Sequence, residues 1–158
     1  MTVRLNRGCS MMKLFNSSFE VSLRALLLLS IAEGENMTLD RIVAYDFITI
    51  YSRHFGIENT NLHGDNDYGF SELSIRRSAL QEALKTLVLD RLVKAVRQSE
   101  GFCYKITETG YGFCSGQKTE YANTYRKLAK ATHEKYEAAS EVELMTMISR
   151  KSAEALKR

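Results

Sequence analysis

The side chains with the greatest capacity for chemistry lie in a glycine-bearing stretch in the first half of the chain. His63 and Asp65 could serve as a general base or as metal ligands, and Asp67 follows closely. Metal sites need three or four ligands, and the three histidines show no ligand spacing. The two aspartates lack the other oxygen ligands and the terminal Glu of a calcium loop. The sequence therefore predicts a tight turn over residues 61–66 that shapes a binding surface, with no metal or cofactor bound.

The motifs of nucleotide and acyl-transfer enzymes are missing from the sequence. There is no Gly-x-x-x-x-Gly-Lys phosphate loop and no Gly-x-Ser-x-Gly nucleophile elbow. The cysteines, Cys9, Cys103 and Cys114, are odd in number and lack Cys-x-x-Cys spacing, which favours reduced thiols over a disulfide frame or a zinc site. We therefore expect no enzymatic activity and no small-molecule substrate.

An aspartate interrupts the apolar stripe of the second predicted helix. Asp46 falls among Leu39, Ile42, Val43, Phe47 and Ile50, and a carboxylate in that position needs a partner or a shifted pKa. Arg24 and Arg77 both fall on or near apolar faces. The sequence predicts a structural ion pair between Asp46 and one of these two arginines, and it leaves open which one.

The composition predicts a folded domain with an uneven charge distribution. Of the 158 residues, 44% are hydrophobic and 26% are charged. Residues 1–117 carry 13 basic and 13 acidic side chains, so the net charge of +3 belongs to residues 118–158. A neutral body weakens the case for a nucleic-acid binder. The longest apolar stretch, Ala25 to Ala32, is too short to cross a bilayer, and no signal peptide is evident, so we expect a cytoplasmic protein with no membrane contact.

Hydrophobic periodicity predicts mainly helices around one β-hairpin. A capping box formed by Ser17 and Glu20 starts the first helix, and a second box at Ser140 starts the last. The predicted elements are helices at Phe19–Ala32, Thr38–Ser52 and Ser71–Leu92, strands at Val93–Gln98 and Phe102–Thr107, and helices at 108–115, 118–139 and 141–157.

This element order is that of a winged helix-turn-helix domain. A strand ending in Ile-Thr-Glu-x-Gly, here Ile106 to Gly110, follows the wing in many bacterial winged-helix regulators, and Thr107 there caps the next helix. The predicted fold is mainly α, with a two-stranded wing and a C-terminal helical extension. The predicted domains are a flexible N-terminus (1–13), a winged-helix domain (14–116) and the extension (117–158).

Three segments carry a closer resemblance. Residues 14–26 (LFNSSFEVSLRAL), 39–47 (LDRIVAYDF) and 61–65 (NLHGD) resemble the middle component of ABC-three-component conflict systems, a group that includes the Lamassu antiphage systems. The resemblance implies a small winged-helix protein that works beside a large SMC-like ABC ATPase and a separate effector, often a nuclease. It implies no chemistry in this chain.

The third helix and the wing are the candidate contact surfaces. The helix face opposite the core carries Ile75, Ser78, Glu82, Lys85 and Leu89, which is too apolar and too acidic for a base-reading helix. Its two aliphatic residues, Ile75 and Leu89, are therefore candidates for a protein interface. The candidate DNA contacts are Lys85, Lys94, Arg97 and Lys105, although lysines on a hairpin edge also block stray strand pairing.

The C-terminal helices supply further interface candidates. The tyrosine stripe could pack on the core or meet a partner, and the candidate residues are Tyr121, Tyr125, Tyr136, Met145 and Ile148. We expect a non-catalytic adaptor that docks on an SMC-like ATPase and couples it to an effector, with DNA contacted mainly through the complex. The alternative is a homodimeric winged-helix transcriptional regulator that dimerises through these helices.

Overall fold

The computed structural model describes residues 17–59, 62, 73–99 and 101–156. Within these residues the chain forms six helices and a small antiparallel sheet. In chain order the elements are α1 (Ser18–Ile31), β1 (Met37–Thr38), α2 (Leu39–Ile50), α3 (Leu73–Leu89), β2 (Val93–Gln98), β3 (Gly101–Ile106), α4 (Glu108–Ser115), α5 (Glu120–Tyr136) and α6 (Glu141–Leu156). The mainly helical prediction is confirmed.

Helix α1 is the centre of the molecule. It packs against α2, α3, α4, α5 and β3, which is the expected position for a helix that is apolar nearly all round. Its predicted cap is confirmed, because the Ser17 hydroxyl accepts a hydrogen bond from the Glu20 amide at 3.2 Å. The serine cap of the other predicted capping box is also formed, since the Glu143 amide donates to the Ser140 hydroxyl at 3.1 Å.

The sheet has three strands in the order β1-β3-β2, all antiparallel. The predicted hairpin is present, with Val93 opposite Ile106 at its base and Arg97 opposite Phe102 near its tip. The third strand was not predicted, because two residues, Met37 and Thr38, are too few to show a period. They pair with Tyr104 and Cys103. The order of α1 to α3, with the short strand β1 between the first two, and then the hairpin is compatible with a winged helix.

The hairpin becomes more exposed toward its tip. On the core-facing side Ile106 is buried and Tyr104 is half-buried, whereas Phe102 is 60% exposed. On the other side Cys103 is buried, and its thiol donates to the side-chain amide oxygen Oε1 of Gln98 at 3.1 Å. The side chains of the hairpin therefore alternate between its two sides as predicted from the sequence. How deeply each is buried depends on its distance from the core.

Thr107 and Gly110 fix the base of the hairpin. The Thr107 hydroxyl accepts a hydrogen bond from the Gly110 amide at 3.0 Å and lies 2.8 Å from the Arg91 carbonyl oxygen, to which it donates. Arg91 adopts a positive φ of 62°, which ends α3 before the predicted Leu92. A Cβ at Gly110 would lie 2.3 Å from the Leu92 carbonyl oxygen, so only glycine fits this approach. This geometry explains the Ile-Thr-Glu-x-Gly signature.

Helices α5 and α6 share the main hydrophobic core. Helix α5 packs on α1 and α2, and α6 packs on α2. The core cluster includes Tyr125 and Ala129 of α5 together with Leu144 and Ile148 of α6. The division predicted at residues 116–117 remains a prediction, and the core is continuous across it.

Arg41 ties α2 to the turn between α5 and α6. Its guanidinium donates to Glu141 at 3.2 Å, to the Tyr45 hydroxyl at 3.1 Å and to the Ala139 carbonyl. The Thr38 hydroxyl, which caps α2, donates to the same Glu141 carboxylate at 3.1 Å. The C-terminal helices are therefore fixed to the body by polar contacts as well as by packing.

Two sequence predictions lie outside the described residues. The 1–13 segment is one, and the His63, Asp65 and Asp67 positions are the other. From the predicted 61–66 turn only Leu62 is described, and its amide donates to the Ile50 carbonyl at 3.0 Å. No helix in the described part of the chain is long and apolar enough to cross a membrane.

Candidate functional site

The predicted buried ion pair joins α1 to α2. The Arg24 guanidinium donates from Nε to Oδ1 of Asp46 at 2.9 Å, and both side chains are almost fully buried. The Tyr125 hydroxyl of α5 donates to the same Oδ1 at 2.6 Å. We call Arg24, Asp46 and Tyr125 the polar centre. The structure selects Arg24 as the partner of Asp46.

Arg77 is corrected as a candidate for the buried pair. Its guanidinium contacts Asp40 at 2.5 Å on the surface, where both side chains are about half exposed. The neighbouring Arg76 is the residue that turns inward, because one helix position rotates the side chain by about 100°. Arg76 is buried, and its guanidinium lies over the Tyr51 ring at 5.6 Å from the ring centroid. Among the residues that the structure describes, its Nε and Nη1 atoms have no hydrogen-bond partner.

The electrostatics of the polar centre favour the charged pair. Burial alone would raise the pKa of Asp46, but the attraction of Arg24 and Arg76 and the Tyr125 hydrogen bond lower it below its ordinary value. Burial, reinforced by the charge of Asp46, raises the pKa of Tyr125 well above its usual range. Burial raises the pKa of Tyr121 to about 12. Aspartate and arginine therefore remain ionised and the tyrosines remain protonated near neutral pH.

The polar centre is built to join helices. Arg24 of α1 and Tyr125 of α5 both donate to one carboxylate oxygen of Asp46 on α2, in the middle of the core. Such a pair holds its elements in one arrangement because separating the partners would leave an uncompensated buried charge. In the described ranges no group of three or more His, Cys, Asp or Glu side chains is placed to hold a metal ion.

The outer face of α3 combines exposed aliphatic side chains with paired charges. Ile75 is 67% exposed and Leu89 is 82% exposed. Lys85, a DNA-contact candidate, lies 3.2 Å from Glu82 on the same helix. The cations that would meet a phosphate backbone on α3 are thus engaged by carboxylates, whereas the apolar side chains are open to solvent.

The three wing candidates lie on the exposed part of the hairpin. Lys94 is directly opposite Lys105 in the register, and Arg97 is opposite Phe102. All three cations are exposed, and none forms an ion pair with a described residue. Like charges placed opposite each other on neighbouring strands repel. The sequence alone could not show this pairing because it depends on the register.

The C-terminal candidates divide into two groups. Tyr121, Tyr136 and Met145 are half-buried and keep some surface. Tyr125 and Ile148 have no exposed area, so their prediction as interface residues is corrected to core positions. Tyr125 faces inward because its hydroxyl serves the polar centre. Val142 of α6 is 76% exposed.

A groove between α1 and α3 was not predicted from the sequence. It has a cavity volume of about 330 Å³, and its floor is apolar, formed by Val21, Leu26, Ala83 and Leu87. The exposed edge of α4 closes one end with Phe113. The signal in the sequence is weak, since small residues such as Ala and Ser carry little periodic contrast.

A comparison with family models identifies the chain. The model of the ABC-three component (ABC-3C) system Middle Component 2 matches residues 14–158. The chain belongs to this family, which confirms the resemblance carried by its N-terminal half and extends it through α6. No curated protein and no solved structure matches the chain. Membership in a multi-component system implies an accessory subunit with protein partners.

Proposed function

We propose that this chain is a non-catalytic winged-helix adaptor of a Lamassu-like antiphage system. It docks on an SMC-like ABC ATPase in the cytoplasm and couples that ATPase to an effector such as a nuclease. The observation that carries the proposal is the character of α3, where Ile75 and Leu89 are open to solvent and Lys85 is paired with Glu82. A helix with that surface fits a protein better than a phosphate backbone.

Two further observations support the proposal. The order of helices, short strand and hairpin is compatible with a winged helix, and α1 to α3 lead directly into the wing. The charged groups of the polar centre are sequestered in the core and face one another. The polar centre therefore serves to keep rigid the surface that contacts the partners.

Co-expression with the other two components of its own system tests the adaptor role. We expect the chain to co-elute with the ABC ATPase at modest salt, and we expect native mass measurement to give a defined stoichiometry. Deleting the gene should abolish protection against phage while the ATPase and the effector remain expressed. An adaptor that stays apart from the ATPase under these conditions would contradict the proposal.

The wing keeps a second function under consideration. Lys94, Arg97 and Lys105 are exposed and unpaired within the described part of the chain, which favours a phosphate contact. A homodimeric regulator would bind a palindromic duplex with steep salt dependence. A gel shift of the purified chain on its own promoter at low salt measures this. Tight binding by the chain alone would favour the regulator over the adaptor.

A further inference from the structure

We infer that the groove between α1 and α3 receives an amphipathic helix from another component of the system, with Lys or Arg flanking the apolar stripe of that helix. This inference rests on the proposed adaptor function and assigns the docking surface within it. The groove, rather than the C-terminal helices, is then the primary contact, and Ile75 and Leu89 extend its edge.

The dimensions of the groove suit a helix. Its α3 wall extends from Ala79 to Asp90, a rise of about 16 Å at 1.5 Å per residue, or three helical turns. Ala79 and Ala83 on this wall, with Ser18 and Ser22 on the α1 wall, allow a second backbone to approach closely. The apolar floor then takes the large side chains of the incoming helix.

The walls exclude an extended peptide as the natural occupant. A peptide that binds by strand addition needs a row of unpaired backbone amides and carbonyls. Both long walls here are helices, whose backbone groups are satisfied internally. A helix satisfies its own backbone hydrogen bonds. A helical occupant therefore avoids the cost of leaving backbone groups unpaired.

Charge defines the flanks of the occupant. The charged side chains that line the groove are both carboxylates, Glu82 and Asp90. Asp90 makes no ion pair with any residue that the structure describes, and Glu82 lies 3.2 Å from Lys85 in a pair that is mostly exposed to solvent. Lysine or arginine on the edge of the partner helix would meet these carboxylates, and salt would weaken that attraction.

The position of the groove leaves it accessible. On α1, Ser22 faces the groove while Arg24, two residues later and about 200° around the helix, faces the polar centre. On α3, Ile75 lies one turn before Ala79 on the same side, so its exposed side chain continues the apolar strip. A helix laid in the groove would cover Ile75 without disturbing the polar centre.

Matched arginine substitutions on α3 test the inference. Ala79→Arg places a cation in the groove, whereas Gln81→Arg places the same cation two positions later and about 200° around the helix, away from the groove. Both residues are exposed, so both variants should melt as the wild type does. We expect Ala79→Arg to weaken capture of the co-expressed partner components about tenfold or more, and Gln81→Arg to leave it within about twofold.

The charge part has its own measurement. Glu82→Gln combined with Asp90→Asn should weaken binding at low salt and flatten its dependence on salt concentration. Unchanged salt dependence would overturn the assignment of basic flanks.

Photo-crosslinking identifies the occupant. Benzoylphenylalanine in place of the exposed Ile75, at the edge of the groove, should cross-link to one helix of the ATPase or the effector, with Lys or Arg beside its apolar stripe. A cross-link to a second copy of this chain, or to the chain's own residues 1–16, would overturn the inference.

The outcomes separate this inference from the proposed function. If the wild type captures no partner, the adaptor function itself fails. If the wild type and Ala79→Arg capture partners equally well, the adaptor function stands and the groove assignment fails.

Discussion

The polar centre and the groove between α1 and α3 lie on opposite faces of the same central helix, and they use polarity in opposite ways. In the polar centre Arg24 and Asp46 are removed from water and pair with each other. Along the groove Glu82 and Asp90, both on the α3 wall, remain in water beside an apolar floor. A buried pair fixes one internal arrangement, whereas a solvated rim around an apolar floor leaves binding energy for another molecule. Helix α1 therefore serves as a rigid wall of the groove, because its other face is held in place by the polar centre.

Removing the central carboxylate should give the largest effect. Asp46→Ala removes the carboxylate that compensates the buried Arg24 guanidinium, which costs about 3–5 kcal/mol of unfolding free energy. Urea unfolding followed by circular dichroism measures the loss. The matched control is Asp40→Ala on the same helix, whose pair with Arg77 is exposed and should be worth less than about 1 kcal/mol. If the two variants lose equal unfolding free energy, the distinction between the buried pair and the solvated surface pair is wrong.

Removing one hydroxyl tests whether the polar centre holds α5 in place. Tyr125→Phe keeps the ring in the core and deletes the hydrogen bond to Asp46, which should cost about 1.5–3 kcal/mol because the acceptor is charged. The control Tyr136→Phe removes a hydroxyl from a half-buried ring of the same helix and should cost less. Chemical denaturation measures both losses of stability. A Tyr125→Phe protein as stable as the wild type would show that α5 is not held by the polar centre.

Two glycines of α4 extend the comparison to the base of the hairpin, where α3 ends beside the groove. Gly110→Ala should destabilise by about 1–3 kcal/mol, since its Cβ would meet the Leu92 carbonyl at 2.3 Å. Gly112→Ala should stabilise by about 0.5–1 kcal/mol, because nothing lies within 4 Å and alanine is the better helix former. Melting temperatures should therefore move in opposite directions, and a shared direction would remove the close approach as the reason for glycine at 110.

Titration tests the burial of the tyrosines. Tyr121, with a folded pKa of about 12, and Tyr125, whose pKa burial raises well above its usual range, keep their protons where the unfolded chain loses them, from about pH 10. The stability that they contribute is present below pH 10 and is lost as the pH rises through the folded values. For Asp46 the folded pKa is lowered, so its contribution is present above about pH 4 and is lost on acidification. Unfolding at a series of pH values should show both declines, and Tyr125→Phe should flatten the alkaline one.

The sequence predicts most of the local structure because the determinants are close together in the chain. The caps at Ser17, Thr107 and Ser140 each depend on an amide three residues away, and all three are formed. The burial of α1 follows from side chains that are apolar on every side. Asp46 is recognisable as a buried carboxylate for the same reason, since its position in an apolar stripe is a local property.

The sequence does not reveal what depends on the angles between elements. It could not choose between Arg24 and Arg77, because the choice depends on how α1, α2 and α3 cross. The β1 strand is too short to show a period, and it exists only through pairing with β3. The groove depends on Ala79 and Ala83 facing Ser18 and Ser22 across two helices. Tyr125 and Tyr121 have the same residue type, and only the packing of α5 buries the first completely.

The wing offers the smallest effect and carries the comparison to a third surface. Lys94 and Lys105 face each other across the hairpin, so Lys94→Glu replaces a repulsion with an attraction and should stabilise the fold by about 0.2–1 kcal/mol. Arg97→Glu is the control, since Arg97 faces the uncharged Phe102 and should gain nothing. Melting at low and high salt measures the difference, which salt should reduce.

The partner assays give this last substitution its functional meaning. If the wing is only a solvated edge, Lys94→Glu leaves capture of the ATPase and protection against phage unchanged. If the lysine pair is retained despite its repulsion because it meets phosphates, the variant protein becomes more stable and binds DNA more weakly. Opposite movements of stability and DNA affinity in one variant would make the wing a nucleic-acid surface, and the groove would then be the one protein-binding face of α3.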